Sequence, residues 1–297
     1  MYIIGHQKER AVLKETLDHG NIAQAYLFTG PQSIGKSLCA LEFAACLAGE
    51  PDFEPSEEKP HPFDVMVIRP LEVTKRGVTK VKNIPSESIR EALSFLSQFP
   101  AGGKFRVLLI EDAHRLSETA QNVLLKTLEE PASSAVIILV THEKGSILPT
   151  VLSRIKQVRF GFVPQEVLAR EFGNEEASDI APFFFSLGRP GMIFSALRDP
   201  AAFSVERELL GGLFRLSTLT LSERLLLAEK MAVHTERTVR LLEWWLPGLY
   251  QQSRQRTDRK QMIRFFELFE EIEATLRLLK TTQSNTRLLL EKLLLSV

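Results

Sequence analysis

The stretch Gly30-Pro31-Gln32-Ser33-Ile34-Gly35-Lys36-Ser37 sets a chemistry by its residue types and spacing alone. Two glycines five residues apart allow a tight loop whose backbone N–H groups converge on an anion, and a helix starting at its end adds partial positive charge. Lys36 would reach the β- and γ-phosphates of a nucleotide and Ser37 would ligate magnesium. The loop residues, together with Leu38 just beyond them, form the expected nucleotide-binding set.

Magnesium also needs an acid at the end of a neighbouring strand, and Val107-Leu108-Leu109-Ile110 runs into Glu111-Asp112. Hydrolytic sites of this kind place Asp first, for the metal, and Glu second, to polarise water. Here Glu111 takes the metal position beside Ser37 and Asp112 the base position, one side chain too long and one too short. A base displaced by roughly 1 Å costs on the order of a hundredfold in rate, so weak hydrolysis is expected. Thr141 closes the next apolar run, where its hydroxyl could sense a γ-phosphate. Ser153-Arg154 follows twelve residues later. An arginine on the rim of such a domain can act in trans as a finger on a neighbouring subunit's nucleotide, although in isolation it reads as a surface ion-pair residue.

These groups need strands and helices to hold them. Ala25–Thr29 is a compact apolar run that ends at Gly30, and the Ala- and Leu-rich segment from Ser37 to Ala48 has the character of a buried helix. A short helix is predicted over 7–19. Residues 49–62, with four prolines, read as a surface excursion, and Phe63–Ile68 as a strand. Thr74–Asn83 reads as a polar stretch before a helix capped near Ser86. Val107–Ile110 and Val136–Val140 are further strands, separated by a helix over 117–130. Such alternation predicts a parallel sheet covered on both faces. After Phe160 the pattern changes: short helical patterns broken at Gly173 and at Gly188-Arg189-Pro190-Gly191, then helical periodicity from about 203. Boundaries near 161 and 202 give three domains, 1–161, 162–202 and 203–297, the last a helical bundle.

The bulk numbers narrow the classes. Lysine plus arginine and aspartate plus glutamate number 37 each, so no global basic field announces a nucleic acid or an anionic membrane. No signal-peptide pattern or long apolar run occurs, which predicts a cytoplasmic protein. Cys39 and Cys46 lie two helical turns apart, too far for a disulfide, and read as buried thiols. The six histidines show no paired ligand spacing along the chain, so no metal site is expected from them; His114 and His142 read as polar residues at strand ends. Trp244-Trp245, on an apolar helical stretch, reads as core or helix-packing surface before any base-stacking platform. Arg254, Arg256, Arg259, Lys260 and Arg264 read as a solvated face because acids at 267, 270, 271 and 273 follow.

Together these residues resemble the AAA+ clamp-loader family of DNA polymerase III. The resemblance is carried by Ile3-Ile4-Gly5-His6, Ala25-Tyr26-Leu27-Phe28-Thr29-Gly30-Pro31, Glu111-Asp112-Ala113-His114, the run from Ala120 to Pro131 with its L-L-K-x-L-E-E-P signature, Leu148-Pro149-Thr150-Val151-Leu152-Ser153-Arg154, and the run from Gln283 to Leu294. It implies an α/β P-loop (AAA+, RecA-like) parallel-sheet domain, a small helical lid over 162–202 and an all-α C-terminal collar. It further implies that Ile3, Ile4 and Gly5 line an adenine pocket, that ATP with magnesium is the cofactor, and that Arg154 is a finger offered to the adjacent subunit. Lys126, Glu129, Ser153 and Arg154 would face that interface. The implied partners are gamma/tau-like motor and delta-like subunits in a hetero-pentameric ring, the sliding clamp, and primed DNA reached through the complex.

Three departures bear on function. The segment Leu47–His61 holds no cysteine, so the zinc module common in the family is not expected. Isoleucine follows Ser153-Arg154 where the family usually has cysteine. The lid position that carries a sensing arginine in motor subunits falls on Gly191, with Arg189 two residues early. A non-motor subunit is therefore expected, with a hydrolysing motor subunit or an unrelated P-loop NTPase or kinase as alternatives.

Overall fold

In Ala25–Thr29 (β1), Arg106–Ile110 (β5) and Ala135–Thr141 (β6) every residue is buried. Strands with no face to give to water must be covered on both sides, which a parallel sheet between helix layers provides. The computed structural model describes residues 2–55, 60–75, 78–172, 187–201, 203–254, 259–282 and 284–296. Val65–Ile68 (β2) and Lys156–Arg159 (β7) complete a five-stranded, all-parallel sheet of order β2-β5-β6-β1-β7.

One face of the sheet packs on helices Gln7–Asp18 (α1) and Lys36–Leu47 (α2) through a core that includes Tyr26, Phe28, Phe43, Val107 and Ile138. The other packs on Ser86–Leu96 (α3), Glu118–Glu129 (α4) and Pro149–Leu152 (α5) through Leu27, Ile89, Leu108, Leu124 and Val151. The α/β parallel-sheet fold expected from the alternating pattern is thus present. The register sets the line of chemistry. Thr29 lies beside Thr141, and Ile110 beside Leu139, so the segments leaving β1, β5 and β6 emerge together along the carboxyl edge.

Some local expectations change. The polar stretch from Thr74 contains an antiparallel hairpin, Glu72–Lys75 (β3) with Val78–Val81 (β4), whose β-branched residues favour strand. The N-cap of α3 is Pro85, and Ser86 is its first helical residue, its hydroxyl donating to Glu87 instead of capping. β7 is an edge strand of mostly exposed polar residues and carries no apolar run to announce it. Cys39 is buried as expected, but Cys46 only half-buried.

Packing divides the chain into two units. The first holds residues 1–171 and 188–191; the second holds 172–187 and 192–297. The first includes Gln165–Phe172 (α6) up to Glu171. Pro190–Arg198 (α7) begins in the first unit and continues into the second. Gly173, the first break predicted after Phe160, lies outside the described residues.

Within the second unit run Ser204–Phe214 (α8), Leu221–Ala232 (α9), Thr235–Arg254 (α10), Arg259–Thr281 (α11) and Thr286–Leu295 (α12). Thr220 and Glu223 form a reciprocal capping box at the start of α9, and Asn285 caps α12. Trp244 and Trp245 are buried, as their place on an apolar helical stretch suggested. Of the basic cluster, Arg264 is exposed; Arg256 and the side chains of Arg254, Arg259 and Lys260 lie outside the described residues, as does Gln283. Among the described residues no helix is long and apolar enough to cross a membrane.

Candidate functional site

The loop from Gly30 to Lys36 owes its path to glycine and to a close crossing of chains. Gly30 has φ +147°, and a Cβ there would sit 2.2 Å from the carbonyl oxygen of Phe160, which crosses over it after β7. Gly35, at φ +99°, is the N-cap of α2, and Ser33 also takes a positive φ of 62°.

Four successive carbonyls of this loop are held, one by the loop's own lysine and three from outside. Pro31 O accepts from Lys36 Nζ at 2.5 Å and Gln32 O from Arg189 Nη1 at 2.6 Å. Ser33 O accepts from the Gly191 amide at 2.9 Å, and Ile34 O lies 2.7 Å from His6 Nε2. The N–H groups of Ser33 to Leu38 have no protein acceptor among the described residues. Such a row of free amides at a helix N-terminus is an anion-binding concavity.

The N-terminal segment braces this loop. Gly5 and His6 both take positive φ, 77° and 59°, and turn the chain into α1. Ile4 is buried, and His6 packs its ring edge-on against Phe160 at 5.1 Å. Burial holds the His6 imidazole below its ordinary pKa, opposed by its bond to Ile34 O. Lys36 is buried, and desolvation, helped by the Arg189 charge and opposed by Asp112, pushes its pKa down to about 8. Ser37 follows it as the second residue of α2.

The strand-end acids part company. Glu111 turns to Arg69, 3.1 Å away, while its amide continues the sheet by donating to Ile68 O. Asp112 takes the left-handed conformation (φ 47°, ψ 48°) and is the acid whose charge reaches Lys36. Its Oδ1 lies 4.0 Å from His114 Nδ1 and 3.8 Å from His142 Nδ1, and the two imidazole centroids are 4.1 Å apart. Burial lowers the pKa of both rings; for His142, burial and the His114 charge push it down to about 4. Thr141 is buried, accepts from the Glu143 amide at 3.0 Å and has His114 Nδ1 at 3.5 Å. Spacing along the chain hid the two histidines' proximity because they reach each other from the ends of adjacent strands.

Arg154 stands elsewhere. It lies in the turn between α5 and β7, two residues before Lys156, which lies beside Tyr26; Lys156 itself is four residue steps, roughly 13 Å along the strand direction, from the level of Gly30. It is exposed, pairs with Glu129 Oε1 at 2.8 Å and donates to Thr150 O and Ser153 Oγ. Lys126 and Glu129 lie on α4 and are exposed, so α4 and the segment after α5 present Glu129, Ser153 and Arg154 together.

The residue that ties those two segments was not singled out from sequence. Gln121, buried on α4, donates to Ser146 O at 2.9 Å and accepts from the Leu148 amide at 2.8 Å, fixing the entry to α5. Arg189 and His6 were also not placed on the loop, since their partners are 157 and 28 residues away in sequence.

A protein-family model described as DNA polymerase III, delta subunit, matches residues 5–163. The chain belongs to that family. The match takes in the phosphate loop, the acids, the histidines and Arg154, and places the chain among the AAA+ clamp-loader proteins. A DNA polymerase III subunit delta′ of Pseudomonas aeruginosa is 34% identical over 146 residues, 46% of this chain and 42% of its own. A DNA polymerase III subunit tau of Escherichia coli is 31% identical over 165 residues, 52% of this chain and 24% of its own. A gamma/tau subunit of Mycobacterium bovis is 27% identical over 168 residues, 56% and 29%. The matched part is therefore less than half the length of each of these curated relatives. A gamma subunit-related protein of Thermotoga maritima superposes with a TM-score of 0.48 at 19% identity, over 96% of this chain and 97% of its own, and at that score the likeness adds nothing to the topology above.

Proposed function

We propose that this clamp-loader family member is a delta-prime-like, non-motor subunit of a DNA polymerase III clamp loader. It helps place the sliding clamp on primed DNA, in a five-membered ring with gamma/tau-like motor and delta-like subunits. In this reading the first 161 residues are the nucleotide domain, 162–202 a helical lid and 203–297 the collar that joins the ring.

The observation that carries the reading is the position of Arg154. An arginine in the turn that precedes β7, at the opposite end of that strand from the Phe160 crossing over Gly30, is not placed for its own phosphate loop, yet it is exposed and oriented by Glu129, Thr150 and Ser153. Such a group is placed for a neighbour's nucleotide, where it would stabilise charge on the transferring phosphoryl group. Lys126, Glu129 and Ser153 complete the interface.

The same reading gives the loop a holding task. The amides of Ser33 to Leu38, the Lys36 ammonium and the Ser37 hydroxyl suit an ATP–magnesium complex, with Ile3, Ile4 and Gly5 beside the base and Thr141 near the terminal phosphate. Magnesium supplies charge neutralisation on the phosphates. Ser37 and a strand-end carboxylate would hold it, and the engagement of Glu111 with Arg69 favours Asp112 over Glu111 for that task. Weak hydrolysis follows from the mismatched acids and from Gly191, where a Cβ would lie 2.8 Å from Ser33 O and no side chain can project.

In a ring reconstituted with its native partners, Arg154→Ala is expected to lower DNA-stimulated ATP turnover by about tenfold or more. ATP binding by the isolated chain should stay unchanged. An unchanged ring rate overturns the trans role. Rapid turnover by the chain alone, abolished by Lys36→Ala, would establish the motor reading instead.

A further inference from the structure

The ends of β5 and β6 bring together three side chains that each offer a lone pair, two from the segment after β5 and one from the residue after β6. Asp112 lies two residues beyond β5, His114 sits in the 3-10 turn Ala113–Arg115, and His142 follows β6. One donor atom from each lies within 4.8 Å of the other two. We propose that Asp112, His114 and His142 form a site for one divalent transition-metal ion of the zinc class, distinct in chemistry from the magnesium that accompanies a nucleotide.

The spacings suit an ion better than a hydrogen-bonded triad. Both histidine Nδ1 atoms approach the same carboxylate oxygen, at 4.0 and 3.8 Å, beyond hydrogen-bond range. Donors about 2.1 Å from a tetrahedral zinc stand roughly 3.4 Å apart, so a small side-chain adjustment closes the set. The alternative partner of His114 is weak: the Thr141 hydroxyl is 3.5 Å from His114 Nδ1, at the long limit.

The donor types choose the metal. Two imidazoles and one carboxylate favour zinc, cobalt, nickel or copper, whereas magnesium prefers an all-oxygen octahedron and keeps its waters. Three protein ligands leave a position open. The side chains of His114 and His142 are 7% and 21% exposed and that of Asp112 50%, so the nitrogen donors are held by packing while the carboxylate borders solvent. Glu143 Oε1, 4.0 Å from His142 Nε2, adds negative charge behind the site. Lys36 and Arg115 bring the opposing charges.

The full 297-residue chain, stripped with chelator and free of nucleotide, is titrated with Co2+ and read by visible absorption, then with Zn2+ by calorimetry. One Co2+ per chain is expected, displaced by one Zn2+ and retained in excess Mg2+. The double variant His114→Asn, His142→Gln, checked for an unchanged melting temperature, is expected to weaken Co2+ binding by more than about a hundredfold. Asp112→Asn, at a half-exposed position, supplies the same test should the double variant not fold, with an expected loss of about tenfold or more. Lys36→Met, which removes the phosphate-binding ammonium, should retain Co2+ or bind it more tightly because a nearby positive charge is gone. No one-to-one Co2+ binding, or equal binding by wild type and the substituted chains, overturns the site.

Discussion

The phosphate loop and the Arg154 rim are built on opposite principles. The loop is half-buried, its Lys36 is 6% exposed, and four consecutive carbonyls are held by Lys36, Arg189, Gly191 and His6. The rim is open, with a 37% exposed arginine side chain held by one ion pair and two hydrogen bonds to its own turn. A group that must receive a ligand in a fixed geometry gains from a rigid frame, because disorder there would have to be removed on binding. A group that must be handed to another molecule has to be able to leave its present partner. The contrast accords with a subunit that holds one nucleotide and acts on another.

The strongest way to break this comparison is at Gly30. Gly30→Ala combines an unfavourable φ with a methyl 2.2 Å from the Phe160 carbonyl, and should cost roughly 3–5 kcal/mol of stability and abolish ATP binding. Denaturant unfolding followed by nucleotide titration measures both. A loss below about 1 kcal/mol would mean that the crossing of Phe160 over the loop is not a tight constraint. Next is Arg189→Ala, which removes a buried, charge-assisted bond to Gln32 O and the cation's place over the Phe162 ring. About 1.5–3 kcal/mol is expected, with faster hydrogen exchange at the Ser33 to Gly35 amides. Unchanged exchange would show that the loop holds its shape without the arginine.

A smaller effect follows from the buried Lys36. Its pKa is depressed to about 8 in the fold, against 10.5 ordinarily, so between those values the unfolded chain keeps a proton that the folded chain has released. Stability without nucleotide should therefore gain from this group as pH rises from about 8 to 10.5, by at most about 1.4 kcal/mol per pH unit. Comparing wild type with Lys36→Met isolates it, since the variant lacks the gain. Identical pH slopes for the two chains would contradict the burial of the ammonium. Saturating ATP, whose phosphates favour the charged form, should flatten the wild-type slope.

What could be read from sequence follows the same divide between local and distant. The strand–loop–helix over residues 25–47 was legible because glycine, lysine and apolar runs act within a few residues of one another. The central strands were legible because complete burial leaves an unbroken apolar run. β7 was not, since an edge strand of Lys156-Gln157-Val158-Arg159 spends its polar side chains on solvent. The β3–β4 hairpin was hidden by charges lying between its β-branched residues. Arg189 and Gly191 bond to the loop across more than 150 residues, and His114 meets His142 only because parallel pairing aligns the ends of β5 and β6. No spacing rule reaches such pairs. The split of Glu111 toward Arg69 and Asp112 toward Lys36 belongs to the same class, because a strand end fixes which way each carboxylate turns.

The finest test lies at the rim. If Glu129 only parks Arg154, then Glu129→Ala removes a solvent-exposed ion pair worth about 0–1 kcal/mol. The melting temperature of the isolated chain should then move by no more than about 2–4 °C. A larger drop would make the pair part of the packing that Gln121 organises between α4 and α5, and the rim would no longer contrast with the loop. The functional arm separates parking from positioning. If Glu129 merely occupies the arginine, the ring's ATP turnover survives the substitution. If Glu129 aims it, turnover falls toward the Arg154→Ala level while the chain stays folded, and Glu129→Gln, which keeps a hydrogen-bond acceptor, recovers part of the loss.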